Sequence, residues 1–253
     1  MRLLAVGWWL QLKVRSRSRF DGLLGVLWPL FFSTTVFLMF RAGTQSAALL
    51  SAAVGASVMG VWSATSTAAG GALQQERRQG TLELLVAAPR PFPLLILPVT
   101  LAMATVGAYS MVATLLWGRF VFGIGVTIHN PIAFLAAVVV TVVAIGVLGF
   151  LIAVCSVRYR ASWALGNALE MPVWLICGFL VPLSALPAWV RPISWLLAPT
   201  WGMSAIRAAA EGRTAWLDLA ACLGLAALYA AAGTVLAGRL VDSARTHATL
   251  ALT

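Results

Sequence analysis

Charge is what this sequence has least of. Of its 253 residues only 9% are Asp, Glu, Lys or Arg, whereas 61% are apolar. A water-exposed fold carries roughly 25% charged residues, so a soluble globular domain is excluded and the chain reads as an integral membrane protein. Lysine is almost absent: Lys13 stands alone, after Leu12. A P-loop needs a lysine directly after glycine to reach the β- and γ-phosphates, so this chain cannot carry such an ATPase site. Gly123-Ile124-Gly125 lacks the third glycine and the preceding strand of a nucleotide loop.

The two histidines, His129 and His247, fall far apart, and no H-E-x-x-H, G-x-S-x-G or Cys/His cluster occurs. An intramembrane protease, a lipid-modifying enzyme or a metal centre therefore has no support. Cys155, Cys177 and Cys222 sit in apolar runs without C-x-x-C spacing and read as buried hydrophobe-like thiols. The net charge of +10 is scattered in short basic groups between apolar runs. That pattern suits anchoring at a membrane surface and argues against a nucleic-acid face.

What is present is a series of apolar runs. Residues 1–21 mix Leu3, Leu4, Trp8, Trp9, Leu10 and Leu12 with Lys13, Arg15, Arg17 and Arg19. This run is too short to span ~30 Å and predicts a retained interfacial helix. Six spans follow, at about 22–40, 47–73, 92–117, 131–157, 161–183 and 216–238. Pro29 should kink the first. The second is rich in small and hydroxylated residues, Ser57 and Ser63 among them, which permit close helix approach and offer hydrogen bonds inside a bundle or along a wet path. Between spans five and six, Pro187, Pro192 and Pro199 forbid one long helix. Trp189, Trp195 and Trp201 there suit a surface belt, so 184–212 is expected to form short helices dipping into the outer leaflet.

With the N-terminus inside, twelve of the seventeen basic residues fall on inner segments, and Arg41, Arg119, Arg191, Arg207 and Arg213 fall outside. The positive-inside bias thus puts both termini, and the segment 74–91, in the cytoplasm of a cell-membrane protein. That segment reads QQERRQGTLELLVAAPRP. Gly80 breaks the preceding helix, Thr81 caps a short new one, and Pro89, Pro91 and Pro93 end it. With Leu82, Leu85 and Val86 on one side and Glu83 on another it is amphipathic, fit to lie on lipid or to press into a soluble partner.

Glu170 lies within the fifth span, ten residues beyond Arg160 and thus ~15 Å deep. An ionised carboxylate there costs ~2.5 to 3.5 kcal/mol even on the lenient insertion scale, so it should face the bundle interior or water. Asn167, Glu170 and Trp174 share one helix face. That face is either a gate or contact for a cationic or polar part of a cargo, or a structural hydrogen bond to a neighbouring span. Pro172 keeps a break in this helix open. A proton-coupled secondary transporter using Glu170 would predict an inverted repeat between the halves, and none is visible.

The string E-R-R-x-G-T-L-E-x-L followed by A-A-P, here Glu76, Arg77, Arg78, Gly80, Thr81, Leu82, Glu83, Leu85, Ala87, Ala88 and Pro89, resembles the signature of ABC-2 type transporter permeases. Pro182-Leu183-Ser184, Leu186-Pro187-Ala188-Trp189 and Pro192-Ile193-Ser194 resemble the loop between that family's last two spans. The resemblance implies one all-α transmembrane domain over residues 1–253, with 74–91 as the coupling helix that docks on a separate ATPase subunit. Glu76, Arg77, Arg78, Gly80, Thr81, Leu82, Glu83, Leu85 and Val86 would make that contact. ATP and Mg would be bound by the partner and no cofactor by this chain. Two permease chains, identical or homologous, would enclose a pathway along the first, second and fifth spans, touched by Asn167, Glu170, Trp174, Ser57 and Ser63. The cargo implied is a drug- or antibiotic-like amphipathic compound; a lipid or polysaccharide exporter is the alternative.

Overall fold

Apolar sequence in lipid has one economical solution, because every backbone polar group must find its partner within the segment. The computed structural model describes residues 2–17, 19–41, 46–78, 80, 91–125, 128–156, 162–180, 183 and 186–247. Among these residues every regular element is a helix: α1 (Arg2–Arg17), α2 (Arg19–Arg41), α3 (Ser46–Arg78), α4 (Pro93–Phe122), α5 (Pro131–Ser156), α6 (Ser162–Ile176), α7 (Arg191–Trp195), α8 (Ala198–Ala210) and α9 (Trp216–His247). By length and composition α4, α5 and the Trp216–Leu240 part of α9 can cross a membrane, and α2 contains a shorter apolar stretch, Pro29–Met39.

Two boundaries near the site differ from the sequence reading, each for a local reason. α4 runs past Trp117 to Phe122, where Gly123 adopts φ 66° and its N–H returns to Gly118 O, a left-handed cap that needs no Cβ. α6 ends at Ile176 rather than near Leu183. Gly178, at φ 75°, turns the chain: its N–H donates to Leu175 O and the Phe179 N–H to Trp174 O, the paired bonds of a Schellman motif. Pro172 does not break α6, and Pro29 lies within a continuous α2.

α3 is the central element, packed against α2, α4, α5, α6 and α8; α9 covers α5 and α8, and α1 lies on α4. The contacts rest on small residues. A Cβ on Gly107 of α4 would come within 2.6 Å of Val61 Cα, and one on Gly149 of α5 within 2.6 Å of Thr65 Cγ2. Such close approach replaces the hydrophobic drive that lipid does not supply. Trp62, Phe37, Phe150 and Ile145 fill the spaces left between the backbones. At the chain's start, Trp8 donates from Nε1 to Thr105 Oγ1 at 3.1 Å, and with Leu12 packs on Ala68, Ala102 and Met103. α1 is thereby pinned across α3 and α4.

Candidate functional site

Three hydroxyls of α3 are spent on their own helix. Ser57 is fully buried and donates to Val54 O at 2.7 Å, Thr65 to Val61 O at 2.8 Å, and Ser66 to Ser63 O at 3.3 Å. Ser63 is different: its hydroxyl reaches across to α6 and donates to Glu170 Oε1. Two residues that the sequence offered separately, 107 positions apart, are therefore joined.

The depth of this pair follows from the packing. Gly107 marks the middle of α4, a helix long and apolar enough to span, and it is there that Val61 approaches. Ser63 is two residues, ~3 Å, further along α3. The Ser63–Glu170 pair thus sits near mid-height of the bundle. A hydrogen bond to a charged acceptor contributes roughly 1.5 to 3 kcal/mol, comparable with the ~2.5 to 3.5 kcal/mol that the lenient scale assigns to an intramembrane carboxylate. One neutral donor offsets the cost only on that scale. Among the described residues no Lys, Arg or His lies within ion-pair reach of Glu170, and the hydrogen bond described at its carboxylate is the one from Ser63 to Oε1.

Trp174, one turn beyond Glu170, is buried and meets Phe32 of α2 edge to face, with ring centroids 5.3 Å apart. Its Nε1 and that of Trp62 are buried without a hydrogen-bond partner. Asn167, one turn before Glu170, is half-buried on the same helix. The structure thus brings Ser63, Glu170, Asn167 and Trp174 to the α3–α6 side of the bundle and leaves Ser57 inside it. Thr81, Leu82, Glu83, Leu85 and Val86 lie outside the described residues, as do the side chains of Glu76, Arg77 and Arg78; Gly80 is exposed at φ 70°.

The C-terminal end of α6 holds residues that sequence reasoning passed over. Arg207 of α8, counted among outer-surface cations, instead turns inward and donates from Nη2 to Gly178 O at 2.8 Å and Phe179 O at 3.4 Å. Ser194 of α7 donates to Ile176 O at 2.7 Å. A short helix ending inside an apolar bundle leaves carbonyls that lipid cannot satisfy, and these two side chains satisfy them. α7 and α8 are in turn fixed to α9: the Tyr229 hydroxyl donates to Leu196 O and accepts from Ala198 N, and Ser204 donates to Asp218 Oδ2 at 2.7 Å. A lone arginine in the apolar run Ala205–Ala210 was the available signal for Arg207.

Fold and site together define a polytopic membrane protein with a half-buried polar contact at mid-height between two of its helices. A family model described as ABC-2 type transporter matches residues 2–210, and the chain belongs to that family. No curated protein matches it. Membership makes the chain a transmembrane component of an ABC transporter, and implies an ABC ATPase as its partner.

Proposed function

We propose that this chain is the permease subunit of an ATP-driven exporter that moves a drug- or antibiotic-like amphipathic compound out of the cytoplasm or inner leaflet. Family membership over residues 2–210 is the observation that carries this reading, and it favours ATP-driven transport over a proton-coupled secondary transporter. In this reading residues 1–253 form one domain in the cell membrane. α2 to α6 and α9 are its six spans, α1 is the inner interfacial helix, and α7 with α8 forms a re-entrant pair on the outer side. Both termini are cytoplasmic. Two such chains enclose the pathway between them, lined by α2, α3 and α6. The half-exposed Glu170, Asn167 and Ser63 favour that placement, because lipid penalises them and a wet interface does not.

The segment 74–91 then docks on the ATPase, with Glu83, Thr81 and the Arg77-Arg78 pair as polar contacts and Leu82, Leu85 and Val86 as apolar ones. α3 enters this segment and α4 leaves it, and the two helices pack along their length, so a push on it moves both as levers. Glu83→Lys is the test. With the chain co-expressed with its ATPase and reconstituted in lipid, the change should leave insertion intact and abolish the stimulation of ATP hydrolysis by cargo. Tightly coupled export in the variant contradicts the docking role.

A further inference from the structure

We propose that Glu170, held by Ser63, is the recognition point for the positively charged group of a cationic amphiphile. The inference rests on the permease reading and specifies its cargo. A mid-height carboxylate needs more than the neutral hydroxyl of Ser63, which leaves the formal charge in place. Seven Lys and Arg side chains lie among the described residues. Yet none described is brought to Glu170, and the buried Arg207 is committed to the carbonyls at the C-terminal end of the same helix. A structural acid in a helix bundle is ordinarily paired by the protein itself. Glu170 instead lies on a half-exposed face, with the Ser63 hydroxyl as its hydrogen-bond partner among the described residues.

The surroundings fit the rest of such a molecule. Leu169, Met171 and Leu175 of α6 are exposed, and Trp174 with Phe32 forms an aromatic wall one turn away. An apolar body with one charged centre satisfies both parts of the site. A neutral solute gains only a hydrogen bond there, and an anion is repelled.

The test compares two hydrophobic ions of nearly equal size and opposite charge, tetraphenylphosphonium and tetraphenylborate, binding to the full chain in phosphatidylcholine nanodiscs. Saturable binding is expected for the cation alone. Glu170→Gln should weaken it about ten-fold, and Glu170→Asp should restore most of it. Equal affinity for the two ions, or cation binding indifferent to Glu170→Gln, overturns the assignment. Should Glu170→Gln fail to fold, the wild-type chain gives the answer by mass spectrometry: the cation, and not the anion, should protect Glu170 from labelling by a hydrophobic carbodiimide. Absence of that protection counts against the site equally. If the chain couples to an ATPase while showing no charge preference, the cargo assignment alone falls. If Glu170-dependent cation binding persists in a chain that couples to no ATPase, the permease reading falls and the site stands.

Discussion

At the scale of single residues, a very close fit among the described residues is at Gly55. A Cβ there would lie 1.8 Å from Phe179 O, a backbone atom that cannot swing aside. Gly55→Ala must therefore push α3 away from the turn that ends α6, at a cost of about 1 to 3 kcal/mol or more. Gly224 of α9 has nothing within 4 Å of the same position. Gly224→Ala should be neutral or slightly stabilising through helix propensity, worth roughly 1 kcal/mol at most. Thermal unfolding of the purified chain should separate the two variants; equal melting temperatures would show that the α3–α6 contact is looser than described. Ser63 and Glu170 were both legible as candidates from their chemistry. Their pairing was not, because spacing along a helix fixes which face a residue is on and says nothing of the register between helices. Ser57 illustrates the limit: it shares α3 with Ser63 but its hydroxyl turns back on its own backbone. Arg207 was misplaced for a related reason, since a charge count by segment treats every arginine as solvated.

At the scale of elements, the apolar runs gave most helices their place, because length and hydropathy dictate helical spans in lipid. Their ends were less legible. α6 stops at Ile176 because Gly178 takes a left-handed turn and because Ser194 and Arg207 arrive to satisfy its last carbonyls, and the second cause is tertiary. Pro172, which suggested a break, sits in the interior of a helix that tolerates it. The consequence for topology is testable by cysteine accessibility. With Cys155, Cys177 and Cys222 replaced so that the introduced thiol is the one that reports, a membrane-impermeant thiol reagent applied from outside should label Gly125→Cys and miss Leu84→Cys. The opposite pattern inverts the orientation and removes the coupling segment from the compartment that holds ATP.

At the scale of the whole molecule, α3 and α5 are the elements that join the two sides of the bundle. On one side α1 and α4 pack along α3, whose C-terminal end leads into the segment 74–91; on the other, α6 is clamped to α7 and α8, which are tied to α9. A displacement of α3 would act on Glu170 through Ser63 and on the C-terminal end of α6 through the close approach at Gly55. This is the path by which work done at the inner surface would reach a cargo at mid-depth. The central claim is that an ATPase grips this chain at the segment between α3 and α4, and site-directed cross-linking measures that contact directly. In a cysteine-free chain co-purified with its ATPase, a photoreactive cross-linker placed on Leu84→Cys should join the two subunits and do so in a nucleotide-dependent manner, while the same linker on Gly125→Cys should not. A complex that forms without any cross-link from position 84, or that cross-links from position 125 instead, would contradict the account.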